Sequence, residues 1–326
     1  MRSILVNNKP HIVFFDSAEV PDTVFKMVSD YGIITKLDLN HPSNRSDLKK
    51  EIGSANILWV ALGQKIDEDL LKSSPFVTDI ISVTTGLSHI DVDYLKKKKI
   101  RLHCLRGEDK FLEQLTATAE HTWGLILSLQ RKIFSSYQDV IKGNWRRDGF
   151  KGRELQGRTL GLIGLGRLGK KVASFGHAFG MEVIGFDSYP RNIAEYIKMT
   201  PSVESVLKNA DIVSLHIHAT PENHNLISKD FLNLLHSESY LINTARGELV
   251  DEKELVILLK EKRIAGYAAD VVNDECSKEK TPIQKHALTN PDNLLLTPHL
   301  GGFTHESRTK AEIFMAKKFI FYMTKK

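Results

Sequence analysis

Thr159-Leu160-Gly161-Leu162-Ile163-Gly164-Leu165-Gly166-Arg167-Leu168-Gly169 is a short apolar, β-forming run that passes without a break into a G-x-G-x-x-G turn. Lys170 to Phe179 then continue with helical periodicity, so the turn joins a strand to a helix. Gly164 permits the tight turn, Gly166 lets the backbone approach a pyrophosphate, and Gly169 allows the helix to pack close on the strand. A pyrophosphate would sit over the free N–H groups and positive dipole end of that helix. The next strand, Glu182 to Phe186, ends at Asp187, about twenty residues beyond the turn, where an acid accepts from ribose hydroxyls. That acid repels a 2′-phosphate and favours NAD over NADP, while Ser188 and Arg191 nearby leave room for dual use.

Outward from the turn, further strands are predicted at Asp211–Leu215, Ser239–Asn243, Gly266–Ala269 and Leu294–Thr297, making six in a complete dinucleotide-binding sheet. A first series precedes it: Ile12–Phe15, Ile33–Leu37, Ile57–Val60 and Ile80–Val83, alternating with helical patterns at Pro21–Tyr31 and Ser46–Gly53. Such alternation predicts parallel sheets wound with right-handed crossovers. A long apolar-periodic helix, Leu112 to Lys132, links the two series. The helical stretch Ser307 to Tyr322 follows the Gly301-Gly302 punctuation and is expected to return to the first domain. The expected fold is α/β with two doubly wound, Rossmann-like domains: a flavodoxin-like one from 1–110 and 302–326, and a dinucleotide-binding one from 111–301.

Composition narrows the function classes. The net charge of +5 comes from 45 basic and 40 acidic residues spread along the chain, without the clustering a nucleic-acid groove needs. The dense run Lys96–Lys99 reads as the solvated end of a helix before a strand. Cys104 and Cys276 give neither a disulfide framework nor a metal spacing. Met1 to Phe15 lacks the apolar core and cleavage site of a signal peptide, and no apolar run could span a bilayer. The expectation is a cytoplasmic protein with no metal, no nucleic acid and no membrane among its partners.

Three segments at predicted strand ends carry the chemistry, the edge where open α/β sheets bind ligands. Asn243-Thr244-Ala245-Arg246-Gly247 presents an arginine, Ala268 to Glu275 sets Asp270 and Glu275 in one loop, and Thr297-Pro298-His299-Leu300-Gly301-Gly302 presents a histidine. Alone, such an arginine is usually a surface ion pair and such a histidine structural. Together they supply what reduction of a 2-keto acid requires. A guanidinium binds the carboxylate bidentately and polarises the carbonyl. An imidazole delivers a proton as hydride arrives, and a carboxylate fixes that imidazole's tautomer.

At this point the chain resembles the D-isomer-specific 2-hydroxyacid dehydrogenases, which include 3-phosphoglycerate dehydrogenases and glyoxylate/hydroxypyruvate reductases. The resemblance covers nearly the whole chain and takes in Thr84 to Asp91, Thr118-Ala119-Glu120-His121-Thr122, the glycine turn and the three chemical segments. It implies hydride transfer between NAD(H) and C2 of a small D-2-hydroxy acid. It implies that Arg246 binds the substrate, that His299 is the general acid/base, and that Glu275 pairs with His299. It implies substrate binding by the backbone N–H groups of Thr85, Gly86 and Leu87, together with Arg246 and His299. Cofactor contacts are assigned to Gly164, Gly166, Arg167, Leu168, Gly169 and Asp187, and further to His216, Thr220, Thr244, Ala245, Asp270 and Gly301. Relatives close two domains over a cleft and dimerise, so a homodimer through the Leu112–Arg147 region is expected. There, Trp145 or Arg147 would reach the partner's cleft.

Several residues receive other readings. His121, on the apolar helix, reads as a satisfied structural histidine, and His89 as a loop-holding residue without chemistry. His216 and His218 lack the further ligands zinc would need. His218 and Phe303 depart from the family pattern, where proline and a small residue are usual. Arg106 and Lys110 could meet an anionic tail such as a phosphate, or be two solvated charges. The chain ends where the family core ends, so no appended regulatory domain is expected. Phosphite or formate oxidation, and an NAD-sensing binding protein on the same fold, are the alternatives. Glu275 argues against formate chemistry and the Arg246/Glu275/His299 set against a pure sensor.

Overall fold

The computed structural model describes residues 9–37, 45–275, 277, 279–289 and 292–325. The chain divides into two compact units, 1–114 with 305–326, and 115–304.

The first unit holds five parallel strands: β1 (His11–Phe14), β2 (Ile33–Lys36), β3 (Ile57–Val60), β4 (Asp79–Ser82) and β5 (Arg101–His103). Their order is β2-β1-β3-β4-β5, the flavodoxin-like winding, and β3 and β4 are buried along their whole length. Burial on both faces is why these strands read as unbroken apolar runs rather than alternating ones. The C-terminal helix His305–Thr324 covers this sheet. Its Phe319 meets Trp59 edge-on at 6.1 Å, and Phe314 stacks on Phe111 at 4.1 Å. The Lys96–Lys99 run is exposed at the end of the helix Val92–Lys98, and Lys99 closes it in the left-handed conformation (φ 58°) just before β5.

The second unit holds seven parallel strands: β6 (Thr159–Ile163), β7 (Glu182–Phe186), β8 (Ile197–Met199), β9 (Ile212–Leu215), β10 (Tyr240–Asn243), β11 (Gly266–Ala269) and β12 (Leu294–Leu296). The order β12-β11-β10-β9-β6-β7-β8 is the dinucleotide-binding winding with one strand more than its usual six. The sequence reading found six of the seven. It missed β8, whose three residues bury only Ile197 and are too few to set a period.

The expected helix from Leu112 to Lys132 is also divided. A short turn, Asp109–Leu112, precedes a helix Ala117–Gln130 that begins at Thr116, whose hydroxyl bonds the Glu120 carboxylate. Lys132, in the left-handed region (φ 52°), separates that helix from Ile133–Ile141. Apolar periodicity ran through the first of these breaks because it reports burial, not backbone continuity; the second falls at Lys132, where the expected helix ends.

Winding reverses direction in this sheet between β6 and β9, which pair from Leu160↔Ile212 to Ile163↔Leu215. Ligands of open α/β sheets bind in the crevice at such a point, beyond the carboxyl ends of the strands. Gly164 and His216 are the next residues on those two strands.

Candidate active site

The glycine turn follows directly from β6. Gly164 has φ +97°, and a Cβ there would lie 2.5 Å from the His216 carbonyl oxygen. A Cβ on Gly169 would lie 2.0 Å from the Gly164 oxygen, so strand, turn and helix close on each other only with glycine at both positions. Gly166 is different: a Cβ there would meet no heavy atom within 4 Å. The fold's own packing does not demand glycine at Gly166, and its bare backbone is open to the close approach of a phosphate. The helix Arg167–Ala178 starts here, its first bond running from Lys170 N–H to the Gly166 carbonyl at 3.0 Å. The earlier N–H groups of such a turn have no intrahelical acceptor.

Asp187 follows β7, and its two oxygens accept the backbone N–H groups of Leu165 (2.7 Å) and Tyr189 (2.8 Å). A carboxylate has about four acceptor sites, so capacity remains for two ribose hydroxyls. The bound aspartate also ties the glycine turn to β7. These residues fit a dinucleotide such as NAD. Arg167 donates to the Leu115 carbonyl at 2.8 Å rather than projecting from the turn. Leu168, next in the helix's first turn, is half-buried. Thr220 caps a short turn reciprocally with Asn223, whose side chain also binds the His218 carbonyl. His216 bonds the Ser214 hydroxyl at 2.9 Å, and burial pushes its imidazole down to about 4 although part of the residue's surface is accessible.

Arg246 stands at the end of β10, and the fully buried Asn243 shapes its turn. The Asn243 amide donates to the Arg246 carbonyl (2.8 Å), and its oxygen accepts from the Ala245 N–H (3.0 Å). Gly247 is required where the turn touches the next loop, since a Cβ would fall 2.0 Å from the Val272 carbonyl carbon. That loop is pinned in turn by Glu252, whose carboxyl accepts the Asn273 N–H at 2.7 Å.

Asp270 is the centre of the polar network. It is 2% exposed, yet accepts hydrogen bonds from the Thr297 hydroxyl (2.6 Å) and from the Leu300 and Gly301 N–H groups (2.7 Å each). Burial alone would raise its carboxyl. The bonds from His121, Thr297, Gly301 and Leu300 outweigh burial and hold it below the usual range, as a carboxylate. A Cβ at Gly301 would sit 2.9 Å from this carboxylate.

His299 follows, with φ +57°, a left-handed conformation that costs a non-glycine residue of order 1 kcal/mol or more. Its N–H donates to the Asp270 carbonyl at 2.9 Å. Its Nδ1 lies 2.6 Å from a Glu275 carboxylate oxygen. A carboxylate only accepts, so Nδ1 carries the hydrogen and Nε2 is left to exchange a proton. Thus Arg246, Asp270, Glu275 and His299 stand on turns after β10, β11 and β12, neighbouring strands of one sheet edge.

Thr85, Gly86 and Leu87 lie in the first unit, in the loop after β4. Thr84 organises that loop by bonding Ser82 (2.8 Å) and donating to the Gly86 carbonyl (2.7 Å), while Arg106 donates to the Thr85 carbonyl at 3.3 Å. Among the described residues there is no group of three metal-ligating side chains and no helix long and apolar enough to cross a membrane.

Sequence reasoning gave Asn243 no role of its own and read His121 as structural. His121 is indeed satisfied, but by the site: its Nε2 lies 2.9 Å from the Thr297 hydroxyl and 3.2 Å from Asp270. A lone histidine on an apolar helix carries no signal of that. The polar spacing Thr118, His121, Thr122 on one helix face did carry one.

The family model for the D-isomer specific 2-hydroxyacid dehydrogenase, NAD binding domain, matches residues 123–301. Glyoxylate reductase of Aeropyrum pernix is 33% identical over 321 residues, covering 94% of this chain and 91% of that protein. D-3-phosphoglycerate dehydrogenase of Methanocaldococcus jannaschii is 33% identical over 84% of this chain, which spans only about half (51%) of that protein's length. The crystal structure of Aquifex aeolicus D-lactate dehydrogenase, complexed with NAD and lactic acid, superposes with a TM-score of 0.79 at 29% identity, covering 96% of this chain and 95% of that one. The chain belongs to the D-isomer-specific 2-hydroxyacid dehydrogenase family. It is an NAD-dependent oxidoreductase of that class, acting by hydride transfer on a small 2-hydroxy or 2-keto acid.

Proposed function

We propose that the protein reduces the C2 carbonyl of a small 2-keto acid to the D-alcohol, with His299 as acid/base, Glu275 as its partner and Arg246 as the substrate clamp. The observation that carries this reading is the 2.6 Å contact of His299 Nδ1 with Glu275, which fixes the proton on Nδ1 and leaves Nε2 for the substrate. Bound at the glycine turn, NADH supplies the hydride. The Arg246 guanidinium holds the carboxylate and polarises the carbonyl, and His299 delivers a proton to the oxygen as C2 accepts the hydride. The imidazole returns neutral, the product being a hydroxyl at C2; oxidation runs the same steps backwards. Thr85, Gly86 and Leu87 would donate backbone N–H groups to the substrate carboxylate.

For the domains we propose that residues 1–110 and 302–326 bind substrate and that 111–301 bind NAD. The cofactor-contact assignments made from the sequence, Thr244, Ala245, His216 and Thr220 included, remain part of this reading. A substrate with a second anionic group, such as a phosphate, is favoured by Arg106, exposed and bonded to the Thr85 carbonyl, and by Lys110, exposed four residues further along the chain. A homodimer is favoured by the apolar surface of Ile133, Tyr137 and Ile141, each more than half exposed, with Trp145 at 92%. A cytoplasmic location is favoured by the scarcity of cysteine.

The test is NADH oxidation against a panel of 2-keto acids, phosphorylated and not, beside His299→Ala and Arg246→Ala. Wild type is expected to turn over at least one acid, with each variant losing about 10²-fold or more in kcat/KM. Turnover undiminished in His299→Ala overturns the assignment. Arg106→Ala should raise KM for a phosphorylated keto acid more than for its unphosphorylated counterpart.

A further inference from the structure

We propose that His121 is a positioning residue for the reaction centre, holding the His299 segment in place through Asp270 and Thr297. The proposal rests on the acid/base reading of His299 for its catalytic consequence, but the hold itself is read from geometry alone. The helix Ala117–Gln130 is largely buried and apolar, yet Thr118, His121 and Thr122 stand on one face at helical spacing. Each meets a different piece of the site. Thr122 donates to the Thr118 carbonyl (2.7 Å) and therefore accepts from the Thr244 hydroxyl (2.8 Å), two residues before Arg246. The Thr118 methyl lies 3.3 Å from where a Gly301 Cβ would be. His121 reaches Thr297 and Asp270.

Counting hydrogens fixes the direction of that last link. Asp270 is a carboxylate and only accepts, so the Thr297 hydroxyl spends its one hydrogen on it at 2.6 Å. Thr297 Oγ1 can then only accept from His121, and His121 Nε2 must carry the hydrogen across 2.9 Å. The same N–H lies 3.2 Å from the carboxylate oxygen that also takes the Leu300 N–H. Asp270 thus clasps Leu300 and Gly301 with its side chain and His299 with its carbonyl, immediately around a residue held at φ +57°. A strained conformation persists only where its surroundings over-determine it. Without the imidazole, Asp270 loses one of its side-chain donors and Thr297 its own, and His299 is free to relax away from the reacting carbonyl.

The experiment uses His121→Leu, His121→Gln, whose side-chain amide can donate near the Nε2 position, and Thr297→Val, which removes the relay hydroxyl. Hydrogen–deuterium exchange of the unliganded protein is followed at the Leu300 and Gly301 amides and, as a reference, in β6. His121→Leu and Thr297→Val are each expected to speed exchange at Leu300 and Gly301 about tenfold with β6 unchanged, and His121→Gln to restore most of the protection. In turnover, His121→Leu should lower kcat about tenfold or more while KM for NADH stays within about twofold, with His121→Gln recovering most of the loss. Unchanged exchange at Leu300 and Gly301, equal loosening of β6, or no recovery in His121→Gln overturns the proposal. Should wild type reduce no 2-keto acid, the acid/base reading fails, while the exchange measurement still decides whether His121 holds the segment.

Discussion

Gly166 and Gly169 sit three residues apart in one turn and answer to different demands. A methyl on Gly169 would overlap the Gly164 carbonyl, whereas one on Gly166 touches nothing in the protein. Gly166→Ala should therefore keep the wild-type unfolding temperature within a degree or two while weakening NADH binding about tenfold or more, measured by fluorescence titration. Gly169→Ala should lower stability itself, by roughly 2 kcal/mol or more, because the helix must move off the strand. Equal NADH affinity in Gly166→Ala would deny the phosphate approach. Asn243 makes a similar point about a residue with no chemistry of its own. Asn243→Ala removes the acceptor of the Ala245 N–H and one of the donors to the Arg246 carbonyl, and should cost about 1–3 kcal/mol of stability with a raised KM for the keto acid.

At the scale of elements, the helix Ile133–Ile141 leaves its apolar face exposed. Ile133, Tyr137, Val140 and Ile141 are all more than 40% exposed, while the sole buried residue, Asp139, holds the chain beyond it through Asn144 and Arg146. Under the proposed homodimer, Tyr137→Asp with Ile141→Glu is expected to give a monomer in sedimentation analysis without unfolding either unit. A wild-type chain that sediments as a monomer at tens of micromolar would remove the dimer from the proposal. The helix expected from Leu112 stops at Lys132, the residue whose left-handed backbone separates it from Ile133–Ile141. Strand β8 escaped because its pairing with β7 is long-range and its own pattern is three residues long.

For the whole molecule, buried titratable groups set opposing pH slopes. Burial raises the Glu312 carboxyl to about 7, against the pull of Arg308 and the Trp59 indole that donates to it at 2.8 Å. Folded Glu312 thus binds a proton between its ordinary 4.5 and about 7 that the unfolded chain has released, so its contribution is full below 4.5 and is lost as pH rises to 7. His216 runs the other way: burial holds it neutral down to about 4, so stability falls as pH drops from 6.5 towards 4. Between 4.5 and 6.5 the two offset each other. Glu312→Gln should therefore expose the His216 slope, and relative to wild type should gain about 3 kcal/mol between pH 4.5 and 7. Urea titrations read by tryptophan fluorescence at several pH values measure this; parallel curves for the two proteins would contradict it. Asp79, held far below its ordinary range despite its burial by Arg101, His103 and Thr78, acts only in stronger acid.

By itself the sequence determined the alternation of strands and helices, the glycine turn with its acid, and the placing of Arg246, Glu275 and His299 beyond strand ends of one sheet. These are local or chemical facts: periodicity follows from which faces are buried, and glycine from backbone clashes within a few residues. Tertiary structure alone decided that Asn243 shapes the arginine's turn. It alone decided that Asp270 clasps the histidine segment and that His121, 178 residues before His299, belongs to the same network. Those roles depend on which carbonyls, hydroxyls and amides are brought within 3 Å across strands far apart in the chain. A residue's type limits which hydrogen bonds it can make, and only the folded chain fixes which of them it does make.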